Sequence, residues 1–113
     1  MALRLKFKPG MDFALKNVRL GIHSDETIDF IADLYYNGQL VGFASNNGCG
    51  GATDIIPAKG GMSFQEIRNL EKLVGVYPFF VFENGHCIHW SLGDIADEII
   101  HNDKATVKKA YQM

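Results

Sequence analysis

The sequence predicts a single α+β domain over residues 1–113, an antiparallel sheet built on hairpins with two to three helices packed against it. Three observations support this fold class. The dipeptide Asn37-Gly38 separates two apolar runs, which is the strongest short signal for a β-hairpin. Two capping patterns each open a stretch with apolar residues at helical spacing. The 113 residues, 47% of them hydrophobic, suffice for one core and leave no room for two.

The N-terminal segment has the pattern of a strand. Leu3, Leu5 and Phe7 alternate with basic residues, as expected for a strand with one buried face, and Pro9-Gly10 ends the alternation. A second and weaker strand candidate covers Ala14–Ile22.

The central hairpin is predicted from Glu26 to Ser45. A two-residue turn at Asn37-Gly38 needs positive φ at both positions and fixes the strand register. That register pairs Leu34 with Val41, Ala32 with Phe43 and Phe30 with Ser45. One face then holds Phe30, Ala32, Leu34, Val41 and Phe43 and is the predicted core face. The opposite face is only partly polar, so a helix or another subunit could cover it.

A first helix and a second hairpin follow. Ser63 and Glu66 form a capping box, and the apolar residues at helical spacing after it are Phe64, Ile67, Leu70 and Val74. Gly75 closes this helix. The aromatic run 78–82 and the segment 86–90 flank a turn at 83–85, which predicts a second hairpin of less certain register.

Two further helices are predicted at the C-terminus. Ser91 and Asp94 form a capping pair, and the amphipathic residues that follow are Leu92, Ile95, Ala96, Ile99 and Ile100. Asn102-Asp103 breaks this helix. Residues 104–111 then predict a short basic helix with Val107, Ala110 and Tyr111 directed inward.

Composition excludes several classes of function. Eleven basic and thirteen acidic side chains give a formal net charge of −2, which provides no field for non-specific nucleic-acid binding. No apolar run reaches the roughly 18 residues of a membrane span, and the N-terminus lacks the pattern of a signal peptide. We therefore expect a cytoplasmic protein with no membrane partner, in which Cys49 and Cys87 stay reduced.

The most unusual feature is the glycine-rich segment from Ser45 to Thr53. Three glycines within four positions can direct backbone N–H groups at an anion, an arrangement called a nest, and phosphate is its natural ligand. The predicted ligand-binding residues are Asn46, Asn47, Gly48, Cys49, Gly50, Gly51 and Thr53. Lys59 could bring a cation to the same place if the chain folds back. The segment matches neither nucleotide-binding fingerprint, and a plain flexible connection is the competing interpretation.

Enzymatic and metal-binding interpretations have weaker support. Cys49 could act as a nucleophile with His86 or His89 as its base, but no family signature surrounds these residues. Residues three apart on a strand point to opposite faces, which disfavours a metal site at His86, Cys87, His89 and Cys49. We therefore assign no catalytic residue, no metal and no cofactor, and we lean towards a protein that is not an enzyme.

Residues 36–39 and the segment Ser45-Asn46-Asn47-Gly48-Cys49-Gly50-Gly51 resemble short, mostly uncharacterised proteins of tailed phages and mobile elements. In those proteins a hairpin runs into an S-N-x-G-x-G-G loop. The resemblance implies a binding role in the host cytoplasm, by occupying a host protein surface in counter-defence or by sequestering a nucleotide signal.

The leading hypothesis is thus a non-enzymatic binding protein that recognises a phosphorylated small molecule or a host protein through the loop. A small enzyme that uses Cys49 is one alternative. The other is a structural homo-oligomer subunit with contacts at exposed aromatic residues, for which Tyr35, Tyr77, Phe80 and Trp90 are candidates.

Overall fold

A computed structural model describes residues 2–111 and confirms the α+β class. Five antiparallel strands form the main sheet in sequence order: β1 (Leu3–Lys8), β2 (Met11–Leu20), β3 (Asp29–Tyr36), β4 (Gln39–Asn47) and β5 (Asp54–Pro57). A separate hairpin consists of β6 (Pro78–Val81) and β7 (Cys87–His89). The helices are α1 (Phe64–Val74), α2 (Leu92–Asn102) and α3 (Lys104–Tyr111).

The turn between β1 and β2 and the turn between β3 and β4 are tied to each other. Strand β1 ends at Pro9-Gly10 as predicted, and β2 begins at Met11, three residues earlier than the predicted Ala14. The Asn37 side chain accepts a hydrogen bond from the backbone N–H of Asp12 at 2.9 Å and donates one to the carbonyl of Gly10 at 2.9 Å. The turn between β3 and β4 therefore holds the turn between β1 and β2 in place.

The central hairpin has the predicted turn but not the predicted register. Asn37 and Gly38 both have positive φ, at 48° and 83°, and Tyr35 pairs with Leu40. A β-bulge then follows, because Leu34 pairs with Gly42 and not with Val41. The extra residue shifts every later pair by one position, so Ala32 pairs with Ala44.

Because of the bulge, the core face of β4 differs from the predicted one. Phe30, Ala32, Leu34 and Val41 are buried as expected, but Phe43 lies on the opposite face with 37% of its surface exposed. Side chains alternate along a strand, so the shift of one residue moved Phe43 outward. Ala44 takes its place inside. The carbonyl of Val41 accepts the N–H of Met62 at 3.1 Å, which anchors the segment that enters α1.

The helices begin and end close to their predicted positions. Both capping boxes are present, at Ser63 with Glu66 and at Ser91 with Asp94. All five predicted apolar residues of α2 are buried. Phe64 is 64% exposed, because at 100° per residue it lies about 90° around α1 from the buried stripe. In α3 the inward prediction is wrong for Tyr111, which is half exposed, whereas Ala110 is buried.

The core lies between one face of the sheet and the helices. Helix α2 contacts β1, β2 and β5, and α1 and α3 pack beside it. On the opposite face Ile31, Phe43 and Ile56 are exposed, and Ile31 and Phe43 line an open depression of about 350 Å³. No helix among residues 2–111 covers this face. None of the three helices in that range is long and apolar enough to cross a bilayer.

The second hairpin is attached to the body of the protein by aromatic contacts at its base. The Phe7 ring lies edge-on to Tyr77 and to Trp90, with centroid distances of 5.5 and 5.1 Å. Phe79 contacts Trp90 in the same way at 4.6 Å. The backbone N–H of Trp90 donates to the backbone carbonyl of Tyr77 at 3.1 Å, which joins the two ends of the hairpin.

Candidate functional site

The glycine-rich segment lies at one end of the main sheet. Ser45–Asn47 still belong to β4, so the connection to β5 is only the six residues from Gly48 to Thr53. It packs against the connection between β2 and β3. We call residues 21–27 together with residues 46–53 the loop end.

A buried asparagine fixes the shape of the loop end. Asn46 is 4% exposed, and its Oδ1 accepts the Thr27 hydroxyl at 2.7 Å and the N–H of Gly48 at 2.8 Å. Its Nδ2 donates to the carbonyl of Gly51 at 3.0 Å and to Oγ1 of Thr53 at 3.1 Å. This one side chain therefore joins both connections and both ends of the glycine segment.

The same network reaches helix α2. Thr53 is buried, and its hydroxyl donates to the carboxylate of Asp97. Burial raises the pKa of Asp97, while the hydrogen bond from Thr53 and the nearby His101 oppose the rise and Asp94 adds to it. The Thr53–Asp97 contact ties the end of the loop to α2.

Glu71 of α1 accepts a hydrogen bond from the start of α2. Its carboxylate accepts the N–H of Leu92 at 3.0 Å, at the first residue of α2. Burial raises the pKa of Glu71, the hydrogen bond from Leu92 lowers it and the nearby Asp94 raises it. The first turn of α2 is thus held by the Glu71 carboxylate of α1, and Asp97 further along the same helix is held by the Thr53 hydroxyl of the loop.

The local conformation and packing account for two of the three glycines. The carbonyl of Gly48 accepts the N–H groups of Asp25 and Glu26, both at 3.2 Å. Gly48 has a φ of +81°, and a Cβ there would lie 2.0 Å from the carbonyl oxygen of His23. Gly50 has a φ of +89°, and a Cβ there would lie 2.3 Å from the Glu26 carboxylate. The backbone of His23 therefore excludes a side chain at Gly48, whereas at Gly50 the Glu26 side chain could move aside and the positive φ is what favours glycine.

Much of the predicted anion nest is used within the protein. The N–H of Gly48 donates to Asn46, that of Cys49 to Oδ1 of Asn47 at 3.1 Å, and that of Gly50 to Oγ1 of Thr27 at 3.3 Å. A phosphate would have to displace these intramolecular bonds or rely on fewer amides.

The charge around the loop end is negative. Asp25, Glu26 and Asp54 are exposed there, and the sequence has no Lys or Arg between Arg19 and Lys59. Lys59 lies beyond the far end of β5, and the strand itself runs for about 10 Å from Asp54. It therefore does not bring the cation that an anion site would use.

Comparisons with protein-family models, curated proteins and solved structures find no match. The geometry and charge of the loop end are therefore the basis for a functional assignment.

The predicted site residues divide into two groups. Asn46, Gly48 and Thr53 are buried and hold the loop in shape. Asn47, Cys49, Gly50 and Gly51, together with Ala52, are exposed and form its outer surface. Only the second group can contact a partner directly.

The candidate nucleophile is not placed beside its predicted base. The Cys49 thiol is exposed and donates to the carbonyl of Asn47 at 3.7 Å. His86 and His89 lie on the second hairpin, away from the loop end. Residues 2–111 contain no group of three His, Cys, Asp or Glu side chains that could hold a metal.

Sequence reasoning missed the residues that organise the loop from a distance. Thr27 and Asp97 are 19 residues before Asn46 and 44 residues after Thr53, so no local motif connects them to the glycines. The acidic character could have been recognised, because the stretch without Lys or Arg is visible in the sequence.

Proposed function

We propose that this chain is a non-enzymatic binding protein whose loop end recognises a basic surface on a partner protein. The observation that carries the proposal is the division within the loop: Asn46 and Thr53 fix its shape from inside, while residues 49–52 remain exposed. A loop that is already ordered loses little conformational entropy on binding, which favours its use as a recognition element.

The surroundings of the loop favour a protein over a phosphorylated ligand. Three loop amides already donate to Asn46, Asn47 and Thr27. The acidic side chains Asp25 and Glu26 would repel a phosphate and attract Lys or Arg on a partner. A nucleotide signal remains the second version of the hypothesis, and the experiment below separates the two.

The resemblance to short phage proteins supplies the biological setting. Proteins of that kind act in the host cytoplasm, so the partner is expected to be a host protein, and inhibition of a defence complex is one form that such binding takes. Exposed loops on a rigid scaffold are common recognition elements.

The test compares two arginine substitutions on immobilised protein exposed to bacterial lysate. Gly51→Arg adds a positive side chain on the outer surface, where a Cβ meets nothing within 4 Å. Gln39→Arg is the matched control, since Gln39 is exposed at the opposite end of β4. We expect a partner that the wild type and Gln39→Arg retain, that Gly51→Arg loses at least about tenfold, and that salt elutes.

Two outcomes would contradict this proposal. The first is an identical set of retained proteins for Gly51→Arg and the wild type. The second is a rise in Tm with cyclic or linear nucleotides that Gly51→Arg abolishes, which would establish the phosphorylated-ligand version instead.

A further inference from the structure

The first strand of the main sheet has one unpaired edge. The sheet runs from β1 to β5 in sequence order, so β1 pairs with β2 on one side only. Within residues 2–111 no backbone hydrogen bond reaches β1 from its other side. An open strand edge is a row of N–H and C=O groups that can pair with a further strand.

The contacts of Asp12 in β2 establish which backbone groups of β1 face outward. Its N–H donates to the Asn37 side chain at 2.9 Å, and its carbonyl accepts the Asn37 N–H at 2.8 Å, so both groups point towards β3. Backbone groups alternate in direction along a strand, so those of the next residue point to β1 and bond its partner Leu5. The N–H and C=O groups of Arg4 and Lys6 therefore point away from the sheet.

The opposite edge of the sheet is less suited to pairing. Strand β5 has four residues and ends at Pro57, which has no N–H to donate. Strand β1 has six residues and contains no proline. Short edges and prolines are ways in which proteins prevent the addition of a further strand, and β1 has neither.

The charge beside the open edge is basic on balance. The side chains of Arg4 and Lys6 are exposed on the outer face of the sheet, and Lys16 of β2 lies on the same face. Asp12, opposite Lys6, offsets one of these three charges. Like charges on neighbouring strands weaken pairing and opposite charges strengthen it. A second copy of β1 would bring its own Arg4 and Lys6 to this edge and be repelled, whereas an acidic strand would be attracted.

The inner face of β1 is apolar and incompletely covered. Leu3, Leu5 and Phe7 are only partly buried, although they pack against the core. An open depression of about 270 Å³ lies between the start of β1 and the end of α2, and Leu3, Ile99 and Asn102 are among the residues that line it. A further strand would place its inward side chains beside these residues, so apolar side chains fit there.

We propose that the open edge of β1 binds an extended acidic segment of a partner protein, which adds a sixth strand to the main sheet. The backbone groups of Arg4 and Lys6 supply the hydrogen bonds. Their side chains select acidic residues on the outer face, while Leu3 and Leu5 contact the apolar residues that alternate with them. This edge is separate from the loop end, and the proposal does not depend on the partner proposed there.

The first test measures binding of two model peptides by fluorescence anisotropy. The probe is a fluorescein-labelled peptide of about ten residues in which Glu and Val alternate, and its control is the same peptide with Lys in place of Glu. We expect the Glu/Val peptide to bind at least about tenfold more tightly than the Lys/Val peptide, with an affinity that falls as salt is added.

A charge reversal on the protein tests the location. Arg4→Glu with Lys6→Glu should weaken binding of the Glu/Val peptide at least about tenfold and should bind the Lys/Val peptide in its place. The matched control is Arg68→Glu with Lys72→Glu, an exposed pair on α1 with the same change of net charge, and it should bind the Glu/Val peptide as the wild type does. Circular dichroism checks that both variants remain folded.

Hydrogen exchange measured by NMR tests the pairing itself. The amide protons of Arg4 and Lys6 should exchange rapidly in the free protein and slowly with the Glu/Val peptide bound. The amide of Leu5, which bonds to β2, should be protected in both states. Binding that leaves Arg4 and Lys6 in rapid exchange would overturn the proposal, because charge attraction alone would then explain it.

Three further results would also contradict the proposal. The first is no binding of the Glu/Val peptide up to about 1 mM. The second is equal binding of the two peptides, or an equal loss in the α1 control. The third is slow exchange of the Arg4 and Lys6 amides without peptide, which would mean that another segment or a second copy already occupies the edge.

Discussion

The loop end and the second hairpin are ordered by different interactions. The loop end is polar and glycine-rich, and hydrogen bonds that converge on the buried Asn46 hold it together. The hairpin is apolar, and edge-to-face contacts among Phe7, Phe79 and Trp90 hold only its base. At the loop end the main buried donors and acceptors are hydrogen-bonded within the chain. The second hairpin leaves large apolar side chains exposed.

This difference indicates what each region needs from a partner. A polar loop whose buried groups are hydrogen-bonded gains specificity from shape and charge, and it loses little conformational entropy on binding. An apolar hairpin gains free energy simply by losing contact with water, at about 25 cal/mol per Å². We therefore expect recognition at the loop end to be sensitive to salt, and burial of apolar side chains of the hairpin by any partner to be insensitive to it.

Among substitutions at the loop end, Asn46→Ala should cause the largest loss of stability. The substitution removes four hydrogen bonds at once and leaves buried groups such as the N–H of Gly48 without their partner. We expect a loss of about 2–5 kcal/mol in the free energy of unfolding, measured with urea.

Asn47→Ala is the matched control for that measurement. Asn47 is the next residue, is exposed, and accepts one hydrogen bond from the N–H of Cys49. Its loss should cost no more than about 1 kcal/mol. Equal effects of the two substitutions would show that the loop end is not organised around Asn46.

The next largest effect should come from Gly48→Ala. Alanine must adopt the left-handed region there, and its Cβ would meet the carbonyl oxygen of His23. We expect a destabilisation of about 2–3 kcal/mol in urea unfolding. Gly51→Ala, with open space around the new Cβ, should change stability by less than about 1 kcal/mol. Similar losses at both positions would mean that the glycines serve general flexibility and not a fixed shape.

Local sequence signals predicted much of the fold. The Asn37-Gly38 turn and the capping boxes at Ser63 and Ser91 are confirmed, because each depends on residues within a few positions. The predicted register from Val41 onwards is wrong, since the two-residue turn does not determine whether a bulge follows it. Phe43 changed faces for this reason alone.

The site was predictable only in part. Three closely spaced glycines indicated an unusual loop, and the structure shows an ordered one. The direction in which its amides point depends on Thr27 and Asn46, which come together only through the pairing of distant strands. Exposure of Phe80 was among the predicted options, but exposure of Phe82 and Ile88 could not be predicted without knowing that no helix of the described chain packs on them.

The smallest expected change in stability concerns Asp97, the residue of α2 that the loop contacts through Thr53. Burial raises the pKa of this carboxyl above the usual 3.8, with His101 opposing the rise and Asp94 adding to it. The folded protein therefore holds the proton more tightly than the unfolded chain does. Asp97 favours folding most below pH 3.8, and this contribution is lost as the pH rises through the raised pKa.

Asp97→Asn should therefore gain stability relative to the wild type as the pH rises from about 4 to 7, by less than about 1 kcal/mol for a partly exposed group. The amide oxygen can still accept the Thr53 hydroxyl, so the network should survive. Asp97→Ala also removes the titrating carboxyl, but it leaves no acceptor for the Thr53 hydroxyl. This variant should therefore be less stable than Asp97→Asn at every pH. Urea unfolding across this pH range measures both. If the difference between the wild type and Asp97→Asn did not vary with pH, the pKa of Asp97 would not be raised in the folded protein.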